Sequence, residues 1–178
     1  MKFFSVLLGI GLIANVGSTE TADLPALRLM LSEVQPGALG TEQYCMLVFD
    51  DHHFHAEKAH RKLGKDRERK VYEGQLSDSD WKTLTVIVDA KQFRELKVPP
   101  NAPTLVVRDP HPYTISVARQ DGFQNMEFLT KDSLKPYESE LKPLLRWWSL
   151  FRNAHTTGSD AQVDNRCALS DANGVFVN

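Results

Sequence analysis

Asp121-Gly122, a pair in which both residues tolerate positive φ, sits between two stretches of alternating apolar and polar side chains. Ile115 and Val117 precede it, and Met126 and Phe128 follow it. A turn of this composition between period-two segments is a strong hairpin signal, because positive φ matches the twist of the strands it joins. Residues 113–119 and 123–129 therefore read as partner strands, which commits the chain to an antiparallel sheet. Residues 42–49 alternate too, with Tyr44, Met46 and Val48 on one face and Cys45, Leu47 and Phe49 on the other. Asp50, Asp51 and His52 then make a polar, turn-prone break, and residues 53–58 alternate again, which reads as a second hairpin. Residues 71–75 and 104–108 read as further strands, and Pro99, Pro100 and Pro103 between them mark a hinge between two halves.

A sheet with one apolar face needs helices to cover it. Ser77-Asp78-Ser79-Asp80 is a helix start, a hydroxyl cap with a carboxylate three residues on. Trp81, Leu84 and Val88 then share one face at helical spacing, with Phe93 and Leu96 closing the segment onto the sheet. A last helix begins between Ser133 and Tyr137, with Leu141, Leu144, Leu145, Trp148 and Phe151 as its apolar stripe. Pro143 lacks a backbone donor and should kink this helix or mark a restart. The order is hairpin, strand, helix, then strand, hairpin, helix. The fold class it predicts is α+β: an antiparallel sheet built from two hairpin-containing halves, each followed by a helix packed on one face.

Around that domain, assigned to residues 41–152, lie three other segments. Residues 19–40 form a lead-in with a short helical candidate at 24–33. Residues 153–178 are polar and rich in Gly, Ser, Asn and Asp, and read as a disordered tail whose removal after Arg152 should leave the melting temperature nearly unchanged. Residues 1–18 carry Lys2, an apolar run and small residues at Val16 and Ser18, the layout of a secretory signal cut after Ser18. The run is shorter than the ~20 residues of a spanning helix, and no later segment is apolar enough, so the exported chain is expected to have no integral membrane segment. Secretion or a periplasmic location follows. Export permits a Cys45–Cys167 disulfide. The placement of Cys45 in an apolar strand and Cys167 in a polar tail reads instead as two independent thiols.

The chain has 178 residues, a net charge of -2 and two cysteines, which excludes collagen-like, coiled-coil and disulfide-dense classes and gives no whole-chain argument for a nucleic-acid partner. Enzyme templates fail in turn. The chain has no Gly-x-Ser-x-Gly elbow, no phosphate loop and no Cys-x-x-Cys. Gly9-Ile-Gly11 with Ala14 mimics a dinucleotide fingerprint, but it lies in the signal with no strand before it. His55 and His60 bracket Glu57, yet a spacing of five puts them about 140° apart on a helix, unlike zincin ligands. The chain therefore reads as a non-enzyme.

Two features carry the functional candidates. On a strand, His53, His55 and Glu57 point to one side, and such a His-x-His pair can chelate zinc; the alternative is the polar face of an edge hairpin. His111, between two prolines, reads as a turn residue. Residues 58–70 hold seven cations, Arg61, Lys62 and Arg67 among them, against Asp66 and Glu68, which suits either a solvated loop or an acidic partner. Trp147, beside Trp148 on the final helix, is either in a second contact layer or exposed as a partner contact.

Leu76-Ser77 followed by a helix with Phe93 and Leu96 forms one segment; Tyr113-x-Ile115-x-Val117, a Gly122 turn, Met126-x-Phe128 and Leu141-x-x-Leu144-Leu145-x-x-Trp148 form another. Together they resemble emfourin-type inhibitors of secreted metalloproteases, and the chain is also similar to uncharacterised secreted bacterial proteins. The resemblance implies a non-catalytic binding module whose partner is a secreted protease. Where that family has a Gly-Gly turn in its first hairpin, Asp51, His52 and His53 stand here, so no inhibitory residue carries over. A metal-binding protein built on His53 and His55 is the rival reading.

Overall fold

The computed structural model describes residues 25–62, 64, 67–100, 110–154 and 167. Six strands, β1 (Leu27–Gly37), β2 (Gly40–Phe49), β3 (His53–Lys62), β4 (Arg67–Gln75), β5 (Tyr113–Arg119) and β6 (Gly122–Phe128), form one antiparallel sheet in the order β4-β3-β2-β1-β5-β6. Helices α1 (Asp78–Asp89) and α2 (Lys91–Arg94) follow β4. After β6 come α3 (Lys131–Leu134), a 3₁₀ turn (Lys135–Tyr137) and α4 (Glu138–Ala154). The coarse expectation, an α+β fold around an antiparallel sheet, holds.

The largest departure from the sequence reading is β1. Residues 24–33 had the composition of a short helix in a lead-in segment, but Leu27–Gly37 is a central strand between β2 and β5. The domain therefore includes part of that lead-in. Leu29 and Leu31 are buried on one face, and Ser32 and Val34 on the other. A strand covered on both faces loses the alternation that reveals a half-exposed one, and Leu, Met and Glu favour helices only weakly. Position in the sheet overrides that preference.

The hairpins follow local chemistry more closely. Between β2 and β3, His52 adopts φ 69° and Asp51 Oδ1 accepts a hydrogen bond from the His53 N–H at 3.0 Å. In the β5–β6 hairpin, Arg119 pairs with Gly122, so the two turn residues are Gln120 and Asp121. The turn sits one residue before the position expected, and Gly122 opens β6 at φ 122°. Gly40 at the start of β2 has φ 151°, and a Cβ there would lie 2.2 Å from the Arg61 carbonyl oxygen. The charged stretch 58–70 is not one solvated loop: pairing of β3 with β4 continues out to Arg61 opposite Arg67. The strand expected at 104–108 lies outside the described residues.

Ser77 caps α1 as its sequence indicates, with its Oγ accepting from the Asp80 N–H at 3.1 Å. Trp81 at that end stacks on the His52 ring, with centroids 4.3 Å apart. α4 runs without a break from Glu138, so Pro143 marks no restart. Leu84 and Val88 of α1, Phe93 of α2, and Leu141, Leu144, Trp148 and Phe151 of α4 form one buried core with Leu29, Leu31, Met46, Val48, Ile115, Val117, Met126 and Phe128 of the sheet. Gln124 Nε2 donates to the Phe93 and Leu96 carbonyls at 3.0 Å each, which ties the α2 end to β6. Leu84 is fully buried, so Leu84→Ala is expected to destabilise the fold by about 2–5 kcal/mol, measured by denaturant unfolding.

Candidate functional site

The sheet face opposite the core carries a line of paired charges. Alternation on β3 puts His53, His55 and Glu57 on that face, as the sequence predicts, and register sets His55 opposite Glu73 of β4. His55 has no exposed surface. Its Nδ1 lies 2.6 Å from Glu73 Oε1 and its Nε2 lies 2.8 Å from Glu57 Oε1. A carboxylate beside each ring nitrogen favours the protonated ring, in which both nitrogens donate. Burial alone would lower the His55 pKa, but hydrogen bonds to Glu57 and Glu73 outweigh it and raise the value. Glu57 is the mirror case. Burial would raise its pKa, but His55, the Cys167 N–H and Arg69 hold it lowered. Arg69 Nε sits 2.8 Å from Glu57 Oε2, and His53 Nε2 sits 2.9 Å from Glu73 Oε2.

The expected zinc set therefore does not assemble as read. His53 Nε2 pairs with the far oxygen of Glu73. The donor atoms that do come together, all within 4.8 Å of one another, belong to His55, Glu57 and Cys167. Sequence reasoning missed Cys167, because it lies 122 residues from the strand it joins. Two independent thiols were the favoured reading; the structure instead has a Cys45–Cys167 disulfide, buried beside Leu47. Cys167 also donates its backbone N–H to Glu57 Oε1 at 3.1 Å. The expected disordered tail thus includes one buried, cross-linked residue, and its other residues beyond 154 lie outside those described. His60 and His111 are not fourth ligands: His60 Nδ1 lies 3.5 Å from Glu42, and His111 Nε2 lies 2.9 Å from Glu33.

A second buried carboxylate shapes the core side of the sheet. Glu33 of β1 accepts from His111 Nε2 and Tyr113 OH at 2.9 Å each, from Arg152 Nη1 at 2.7 Å, and from Gln35. Burial works to raise its pKa, and these partners bring it down. Glu33 thereby pins the end of α4 to the sheet and holds the Arg152 guanidinium 4.3 Å from the Tyr44 ring centroid. Lys58 Nζ covers the same ring at 5.0 Å. Beneath these two cations Tyr44, Met46, Tyr72, Trp148 and Phe151 line a cleft of about 140 Å³. Neither Glu33 nor Arg152 was singled out in the sequence. Strand register and the end of a distant helix bring them together, and neither is visible as spacing.

The expected partner-binding residues scatter. Arg61 and Lys62 are exposed at the far end of β3, and the Arg67 backbone pairs there with Arg61. Trp147 is buried in the core cluster, which resolves its alternative as the second contact layer and removes it as an exposed contact. The turn at residues 50–52 and the basic end at 61–62 bound a ten-residue strand, so about 30 Å separates them and they form no single patch. No helix among the described residues is long and apolar enough to cross a membrane. The disulfide is compatible with an extracellular or periplasmic protein. In comparisons with family models and with curated proteins, nothing matches this chain.

Proposed function

We propose that the protein is an exported, non-catalytic binding module that receives one side chain of an acidic protein partner in the cleft beneath Lys58 and Arg152. In this reading each half contributes a helix to the same sheet face, and the end of α4 closes the cleft. The cleft carries the proposal. Its volume of about 140 Å³ is close to that of an apolar cavity that takes a single benzene ring. Its walls are aromatic and its mouth carries Lys58 and Arg152. Lys58 is held only loosely by Glu42 at 3.8 Å, while Arg152 is paired with Glu33 at 2.7 Å, which suits an apolar side chain flanked by a carboxylate. Lys62, exposed four residues along β3 on the same face as Lys58, extends the positive rim. Absence of a catalytic role is supported by the state of His55, which has neither nitrogen free to take a proton. Export is supported by the layout of residues 1–18 and by the disulfide. A secreted metalloprotease is the partner class, on the resemblance to emfourin-type inhibitors, which makes inhibition the proposed activity.

The test is titration of the oxidised chain from residue 19 into a purified secreted zinc metalloprotease, with complex formation and peptide hydrolysis both followed. Binding should be tighter at low salt, because the rim charges are solvent-exposed. Lys58→Glu should weaken it by about tenfold or more. No complex at micromolar concentrations, or an affinity indifferent to both salt and Lys58→Glu, overturns the proposal.

A further inference from the structure

The least expected arrangement in the molecule is a disulfide set against a buried imidazole and carboxylate. We propose that reduction of the Cys45–Cys167 bridge uncovers a zinc site formed by Cys45, Cys167, His55 and Glu57. Of the four residues only Glu57 also borders the cleft, and the proposal does not rest on the binding reading.

Three observations carry it. First, four donors of the right kind already share one place. A ring nitrogen of His55, a Glu57 oxygen and Cys167 Sγ lie within 4.8 Å of one another, and Cys45 is bonded to Cys167 and directly opposite Glu57 in the β2–β3 register. Two thiolates, one imidazole and one carboxylate fit a closed tetrahedral zinc site. Second, the surroundings of a zinc-binding histidine are in place. A metal-bound His usually donates its other ring N–H to a carboxylate, and Glu73 occupies that position on Nδ1 at 2.6 Å. Arg69 adds a cation beside Glu57, its Nε 2.8 Å from Oε2 as an ion pair. Third, the donors are dry: Cys45, Cys167, His55 and Glu57 are each no more than 5% exposed.

In the oxidised chain this site is closed. The sulfurs are bonded to each other, and the Nε2 position of His55 carries a proton given to Glu57. Opening requires a dithiol reductant. One of its thiolates attacks a bridge sulfur to form a mixed disulfide, and its second thiol displaces the protein thiol. The protein gains two electrons and two protons, and the reductant leaves as its own disulfide. Zinc then replaces both thiol protons and the Nε2 proton, so three protons leave for each ion bound. Glu57, already a carboxylate, adds none. The centre has two thiolates and a carboxylate around a divalent ion, and the Arg69 guanidinium balances the remaining negative charge.

The experiment uses tag-free chain from residue 19, oxidised or reduced under anaerobic conditions and freed of reductant, titrated with cobalt(II) alone and then zinc. The reduced chain should bind one cobalt with the intense visible bands of tetrahedral thiolate coordination, which zinc then bleaches, and zinc should raise its melting temperature. The oxidised chain should give no such bands. His55→Gln and Glu57→Gln should lose the tetrahedral spectrum. Glu73→Gln, which leaves all four ligands, should weaken binding by about 10–100-fold. A reduced chain that gives no bands, that unfolds and takes cobalt only as a flexible dithiol, or that binds equally well in the Glu73→Gln variant, overturns the proposal.

Discussion

Replacing Cys45 with Ser is expected to lower the unfolding free energy by about 2–5 kcal/mol. The bridge joins residues 122 apart, so in the unfolded state it closes most of the domain into one loop. The chain-entropy account gives about 5 kcal/mol for a loop of this length, at the upper end of what native bridges deliver. For a domain of this size the loss corresponds to a drop in melting temperature on the order of 10 °C. Truncation after Arg152 should cost at least as much, because it removes Cys167 together with the N–H that Glu57 accepts. This reverses what composition indicates for a polar tail. Thermal unfolding of the oxidised chain, the Cys45→Ser variant and the truncated chain decides it. Melting temperatures within a degree or two of each other would show that the bridge adds nothing to the fold. The core between sheet and helices does not include either cysteine, so the reduced chain is expected to remain folded.

Why the tail misled and the hairpins did not is a matter of distance along the chain. Tyr44, Met46 and Val48 declare a strand because neighbouring residues report the two faces, and Ser77 declares a helix start through a contact three residues away. β1 is silent in the same code, since Leu29 and Ser32 are both buried and no polar face remains to alternate with the apolar one. The turn at Gln120-Asp121 shows the limit of local rules from another side: the glycine identifies the hairpin, while the β5–β6 register fixes which residues turn. For the site, alternation correctly placed His55 and Glu57 on one face of β3. It could not supply Glu73 and Arg69, which depend on the β3–β4 register, or Cys167, which depends on a cross-link. A His-x-Glu pair on a strand, followed by a second strand with a carboxylate and a cation on alternate positions, was the signal available. It needed the pairing to become legible.

The other large effect should come from the imidazolium itself. His55→Ala is expected to destabilise the oxidised protein by about 3–5 kcal/mol, because it leaves Glu57 and Glu73 without the cation between them. Two carboxylates contact this ring, Glu57 on its own strand and Glu73 on β4; His53 in turn pairs with Glu73, and Arg69 and the Cys167 backbone N–H pair with Glu57. Their arrangement also fixes how stability depends on pH. His55 has a folded pKa above its unfolded value, so its contribution is complete below about 6.5 and is lost as pH rises through the folded value. Glu57 has a folded pKa below its unfolded value, so its contribution is complete above about 4.3 and is lost as pH falls through the folded value. Both are complete together only between those limits. The melting temperature should therefore be highest in mildly acidic buffer and decline on the alkaline side as His55 gives up its proton. Glu33, whose pKa is also lowered, steepens the acid limb but leaves the alkaline one alone. A His55→Gln variant keeps a hydrogen-bonding side chain without a titrating ring, so its alkaline decline should flatten while its acid limb remains. If wild-type and variant lose stability in parallel above pH ~6.5, the buried ring is neutral and the charge assignment for this face fails.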